Sequence, residues 1–107
     1  MDGCESDTDH AFRDNALACR NVMEGARRVG AYVVALSTDY VFDGEKETPY
    51  HEWDTPNPIS VYGASKLAGE FEIDPDCAVV RTSWVCGQYG SNAMKTILRL
   101  SQQDTPM

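Results

Sequence analysis

Tyr32-Val33-Val34-Ala35-Leu36-Ser37-Thr38-Asp39 is a run of five apolar residues followed by three polar ones. An unbroken apolar run of this length, rather than an alternating one, suits a strand buried on both faces of a sheet. Cys77-Ala78-Val79-Val80-Arg81-Thr82 repeats the pattern and reads as a second buried strand. Upstream, residues 7 to 29 read as a helix. Asp7 or Asp9 can cap its start, and Phe12, Ala16, Cys19, Val22, Met23 and Ala26 recur at helical spacing. Arg27 and Arg28 fall in its last turn and Gly30 stops it. A second helix is expected from about Ile59 to Glu72, broken by Asp74-Pro75, and a third from about Asn92 to Gln102. Strands separated by crossover helices imply a parallel sheet and an α/β fold. Ligands of such sheets bind beyond the carboxyl ends of the strands. Here those ends are Ser37-Thr38-Asp39 and Thr82-Ser83-Trp84, polar where the apolar runs stop.

Composition narrows the classes. The chain has 107 residues and a formal net charge of -8, with nine basic and seventeen acidic side chains. That balance repels phosphate backbones, so nucleic acid is not expected as a partner. No apolar run approaches the roughly 20 residues of a membrane helix, and the acidic N-terminus lacks a basic-then-apolar leader. The chain is read as soluble and cytoplasmic. Cys4, Cys19, Cys77 and Cys86 form no C-x-x-C pair, and His10 and His51 lie far from them, so no metal site is expected. The cysteines read as small, mostly buried apolar residues in a reducing compartment. Residues 38 to 58 hold Gly44, three prolines and many acids. A connection of that length is usually functional or disordered, and Tyr40, Phe42, Tyr50 and Trp53 argue for function.

The chemistry concentrates in Tyr62-Gly63-Ala64-Ser65-Lys66. A spacing of four on a helix puts Tyr62 and Lys66 on one face, one turn apart. A nearby ammonium favours the phenolate and brings the phenol toward use in proton transfer. Ser37 and Thr38, at the end of the first strand, would share a sheet edge with the start of this helix. A hydroxyl, a tuned phenol and an ammonium together can polarise and protonate a carbonyl oxygen, which suits hydride reduction.

Ser37-Thr38-Asp39-Tyr40-Val41-Phe42-Asp43-Gly44, with Pro56-Asn57-Pro58, Val61-Tyr62-Gly63, Ser65-Lys66-Leu67-Ala68-Gly69-Glu70 and Arg81-Thr82-Ser83-Trp84-Val85, resembles the dTDP-4-dehydrorhamnose reductases. These belong to the extended short-chain dehydrogenase/reductase superfamily. The resemblance runs from about residue 2 to residue 106. It implies a Rossmann-like, doubly wound parallel sheet and NADPH-dependent reduction, with NADH as the other candidate, of a 4-keto group on a dTDP-linked 6-deoxy sugar. It implies Tyr62 as the general acid and Lys66 as the group that tunes it and bonds the nicotinamide ribose. Thr38 would bind the substrate carbonyl, with Asp39 assisting. Ser37, Thr82 and Ser83 would line the nicotinamide side, Trp84 would pack on the sugar, and Val41 and Phe42 would shape the substrate wall. Asn15 resembles the superfamily asparagine that ties helix to strand.

The eight glycines never form the family's G-x-x-G-x-x-G or G-x-G-x-x-G turn. Residues 1–107 are therefore expected to be an internal fragment: a partial nucleotide-binding domain with the catalytic threonine and Y-x-x-x-K. The N-terminal glycine-rich βαβ unit and the C-terminal substrate region are expected to be missing. Such a fragment would be inactive alone, with a homodimer expected only of the full-length protein. Two other readings share the motifs. One is a non-catalytic module resembling the regulatory subunit of methionine adenosyltransferase. The other is a different sugar-nucleotide epimerase, reductase or dehydratase, although dehydratases place Asp-Glu after the threonine, where this chain has Asp39-Tyr40.

Overall fold

Asp7 accepts a hydrogen bond from the His10 backbone N–H and starts a run of helix that lasts to Gly30. In a computed structural model that describes residues 2–102, this run is not uniform. A short helix α1 (Asp2–Ser6) precedes α2 (Thr8–Phe12). A π-helical turn (Arg13–Leu17) then leads into α3 (Ala18–Val29). Gly30 closes α3 in the left-handed region at φ 69°, and Ala31 N–H returns to the Ala26 carbonyl at 2.9 Å. The single expected helix over 7–29 thus carries a wide turn at its middle, and α1 is an addition to the reading.

Strand β1 (Val34–Thr38) pairs in parallel with β2 (Ala78–Thr82), with Ser37 opposite Arg81 and Thr38 opposite Thr82. Helix α4 (Val61–Phe71) crosses between them in sequence, and α5 (Ala93–Ser101) follows β2. The parallel α/β order is the one expected. Two details differ. Strand β1 begins two residues late and takes in Ser37 and Thr38, whose register partners on β2 are Arg81 and Thr82. Neither strand is buried on both faces: Val34 and Leu36 are 57% and 64% exposed and Val80 44%, since no described element covers them. The cysteines are likewise partly or fully exposed rather than buried.

The core sits between α4 and the helical run before β1. It centres on Ala11, Met23, Ala26, Val41 and Ser65. Small residues let α4 approach. A Cβ on Gly63 would enter the carbonyl oxygen of Tyr40, and one on Gly69 would enter that of Asn15 in the π turn. Ser60 caps α4 by accepting from Gly63 N–H at 3.0 Å. The Glu5 carboxylate, reaching over from α1, accepts from Val61 N–H at 2.7 Å. A carboxylate there also suits the positive end of the helix. Among the described residues no helix is long and apolar enough to cross a membrane. The expected tail after the third helix, residues 103–107, lies outside the described residues.

Candidate active site

An open cleft of about 410 Å³ lies at the carboxyl ends of the two strands. Strand β1 contributes Leu36, Ser37 and Thr38, followed by Asp39 and Tyr40. The segment after β2 contributes Thr82, Ser83, Trp84 and Val85, and α4 contributes Tyr62 and Lys66. All the expected catalytic and cofactor-side residues therefore meet in one place.

Thr38 ends β1 in an extended conformation and caps a 3₁₀ turn over Asp39–Val41. Its hydroxyl accepts from Tyr40 N–H at 3.2 Å and donates to Asp39 Oδ1 at 3.3 Å. The bond to Asp39 is long for an O–H···O contact and leaves the donor easy to redirect into the cleft. Lys66 Nζ donates to the Leu36 carbonyl at 2.9 Å, which pins α4 to β1 and leaves two of its three N–H donors free of that bond. Tyr62 packs edge-to-face on Tyr40, ring centroids 5.9 Å apart at 78°. Tyr62 also borders a second opening of about 540 Å³ beside α1 and α2. Trp84 is 77% exposed and holds φ at 51°, a left-handed value that a bulky residue adopts only at a cost.

Ser37 lines the cleft but donates its hydroxyl proton to Glu70, which also receives a bidentate pair from Arg81: Nη2 to Oε1 at 2.6 Å and Nε to Oε2 at 3.0 Å. That carboxylate holds the Arg81 guanidinium above its ordinary pKa, against the opposing effect of partial burial.

Two expected wall residues are elsewhere. The 3₁₀ turn swings Val41 into the core, where it is fully buried. Phe42 stacks on Tyr50, centroids 4.2 Å apart at 12°, beneath the Arg81 guanidinium at 5.2 Å. Neither lines the cleft. Asn15 also differs from expectation: its amide donates to Ser65 Oγ at 2.9 Å, and Ser65 in turn donates to the Tyr62 carbonyl at 2.8 Å. It ties helix to helix, not helix to strand, because the π turn presents it to α4. Sequence reasoning passed over Tyr40 as a wall of the cleft. It also passed over Glu70, although Tyr62, Lys66 and Glu70 follow one another at intervals of four.

A family model described as RmlD substrate binding domain matches residues 1–107. The chain is 47% identical over 104 residues to a dTDP-4-dehydrorhamnose reductase of Sinorhizobium fredii, covering 94% of this chain and 35% of that protein. A crystal structure of a dTDP-4-dehydrorhamnose reductase from Clostridium acetobutylicum superposes with a TM-score of 0.88 at 43% identity, over 95% of this chain and 37% of that one. The Bacillus anthracis dTDP-4-dehydrorhamnose reductase in complex with NADP gives a TM-score of 0.85 at 44% identity, over 95% and 38%. The chain thus spans a little over a third of the length of the relatives it matches. The α/β elements are part of the Rossmann-like fold of these reductases.

Proposed function

Since the chain belongs to the RmlD substrate binding domain family, we propose that it carries the carbonyl-reducing centre of a dTDP-4-dehydrorhamnose reductase. The substrate is a 4-keto-6-deoxy sugar on dTDP and the cofactor NADPH. The observation that carries this reading is the meeting of Thr38, Tyr62, Lys66 and Trp84 in one cleft at the carboxyl ends of two parallel strands. In this reading residues 1–107 form the catalytic half of a nucleotide-binding domain. The cleft fits the nicotinamide end of the cofactor: an ammonium and several hydroxyls face an open, partly apolar space. The glycine turn that would hold a pyrophosphate is not among these residues.

A bound nicotinamide supplies the hydride that adds to the carbonyl carbon. Thr38 turns its hydroxyl from Asp39 to the carbonyl oxygen and fixes the sugar's orientation. Tyr62 gives its phenolic proton to that oxygen as negative charge gathers there. Lys66, steadied by the Leu36 carbonyl, bonds the ribose with a remaining N–H. Trp84 offers an exposed ring face to the sugar. The test is Tyr62→Phe in the full-length protein, assayed with NADPH and the dTDP-linked ketone. Turnover should fall about a thousandfold, as for loss of a general acid, with cofactor binding kept. Turnover near the unmodified level overturns the reading, and a protein that copurifies with a synthetase subunit and reduces nothing would point to the regulatory module.

A further inference from the structure

We propose that Glu70 and Arg81 form a positioning clamp that sets the distance between the Tyr62–Lys66 face of α4 and the strand ends that carry Thr38 and Thr82; the inference rests on the reductase reading for its consequence in catalysis. Tyr62, Lys66 and Glu70 form one stripe along α4. The stripe is fixed to the sheet one turn at a time. Lys66 holds the β1 carbonyl of Leu36. One turn on, Glu70 receives Ser37 from β1 and Arg81 from β2. Ser37 and Arg81 are register partners, so a single carboxylate grips both strands at one rung. The next rung is Thr38 opposite Thr82, the floor of the cleft. Arg81 extends the grip to the long connection, because its guanidinium lies over Phe42, which stacks on Tyr50.

The pair is the most enclosed ion pair among the described residues, with side chains 9% and 22% exposed. Burial of such a pair is poor evidence of stabilisation, since an apolar pair of the same volume often serves as well. What an apolar pair lacks is direction. A bidentate guanidinium–carboxylate contact fixes distance and angle together. Misplacement of a reacting group by about 1 Å can cost up to about a hundredfold in rate. The Arg27–Asp74 pair offers a control: it is equally direct, at 2.5 and 2.8 Å, but exposed and remote from the cleft.

The experiment is a double-mutant cycle in the full-length protein with Glu70→Gln and Arg81→Lys, and Arg27→Ala as control. It combines steady-state kinetics with amide hydrogen exchange. Each clamp variant should lower kcat about tenfold while KM for NADPH stays within about twofold. The double variant should be no worse than the poorer single one. Exchange should quicken about tenfold at Thr38, Phe42 and Thr82 and stay unchanged in α3. Multiplying kinetic effects, or exchange that is unchanged or quickens uniformly along the chain, overturns the clamp. If the unmodified protein reduces no sugar nucleotide, the reductase reading fails. The exchange pattern then still decides the clamp: acceleration confined to the three sites upholds it, and any other pattern overturns it.

Discussion

Helices α4 and α5 have similar lengths, 11 and 9 residues, and opposite fates. Helix α5 has the plainer apolar face, in Met94, Ile97 and Leu98, yet buries nothing fully. Helix α4 buries Gly63, Ser65 and Gly69, none of them a large apolar residue. An apolar face stabilises only when something packs on it. Small residues let backbones meet closely enough for polar contacts to fix a geometry. Helix α4 brings the phenol of Tyr62 and the ammonium of Lys66 to the end of β1.

The sharpest way to break the contrast is to add one methyl group to α4. Gly69→Ala would press a Cβ into the Asn15 carbonyl and toward Cys19 Sγ. Backbone cannot yield as a flexible side chain can, so about 3 kcal/mol should be lost in denaturant unfolding of the full-length protein. A loss under about 0.5 kcal/mol, within the range of ordinary surface changes, would show that α4 is not held by close approach.

Next in size is Ser65→Ala. Ser65 is completely buried and links Asn15 to the Tyr62 carbonyl. Its removal strands the Asn15 amide and should cost about 1–2 kcal/mol. Asn15→Ser65 coupling near zero in a double-mutant cycle would refute the link.

A smaller effect belongs to the long connection. Asp43 accepts from Glu45 N–H, the Tyr50 hydroxyl and the Asn57 amide, and these bonds, the first foremost, hold its carboxyl below the ordinary value of 3.8. Asp54 is lowered likewise, by its bond from Lys46 first. A carboxyl with a depressed folded pKa contributes stability that is complete above its unfolded value and lost as pH falls through the folded one. The connection should therefore loosen only in acid below about pH 4, read from the Asn57 side-chain amide by NMR. Loosening already at pH 5 to 6 would mean another group holds it. Smallest of all, Ile97→Ser on α5 should change the stability of the isolated chain by no more than about 0.5 kcal/mol. A large loss would show that this face packs against another part of the chain.

The main helices and both strands were legible in order because apolar runs and helical spacing are local signals; α1 and the π and 3₁₀ turns were not. So was the cleft, since it is built at strand ends and on one helix face. Burial was not legible. Val34 and Leu36 read as buried because apolar runs usually are, but burial depends on what lies opposite. Val41 was placed on the substrate wall by resemblance alone, and the 3₁₀ turn after Thr38 buries it in the core. The partner of Asn15 was hidden by the π turn, whose extra residue shifts every later position on the helix face. Glu70 was within reach: the interval of four that singled out Lys66 repeats once more.

The parallel register described above has a kinetic consequence. Each rung joins residues far apart along the chain, Val34 with Ala78 and Thr38 with Thr82. Closing so long a loop is entropically costly and slow, whereas the backbone hydrogen bonds of α4 are local. The helix bearing Tyr62 and Lys66 can therefore be complete while the floor of the cleft does not yet exist. Amide protection at Thr38 and Thr82 should return on refolding later than helix does, and it marks the moment when the two strand ends come level.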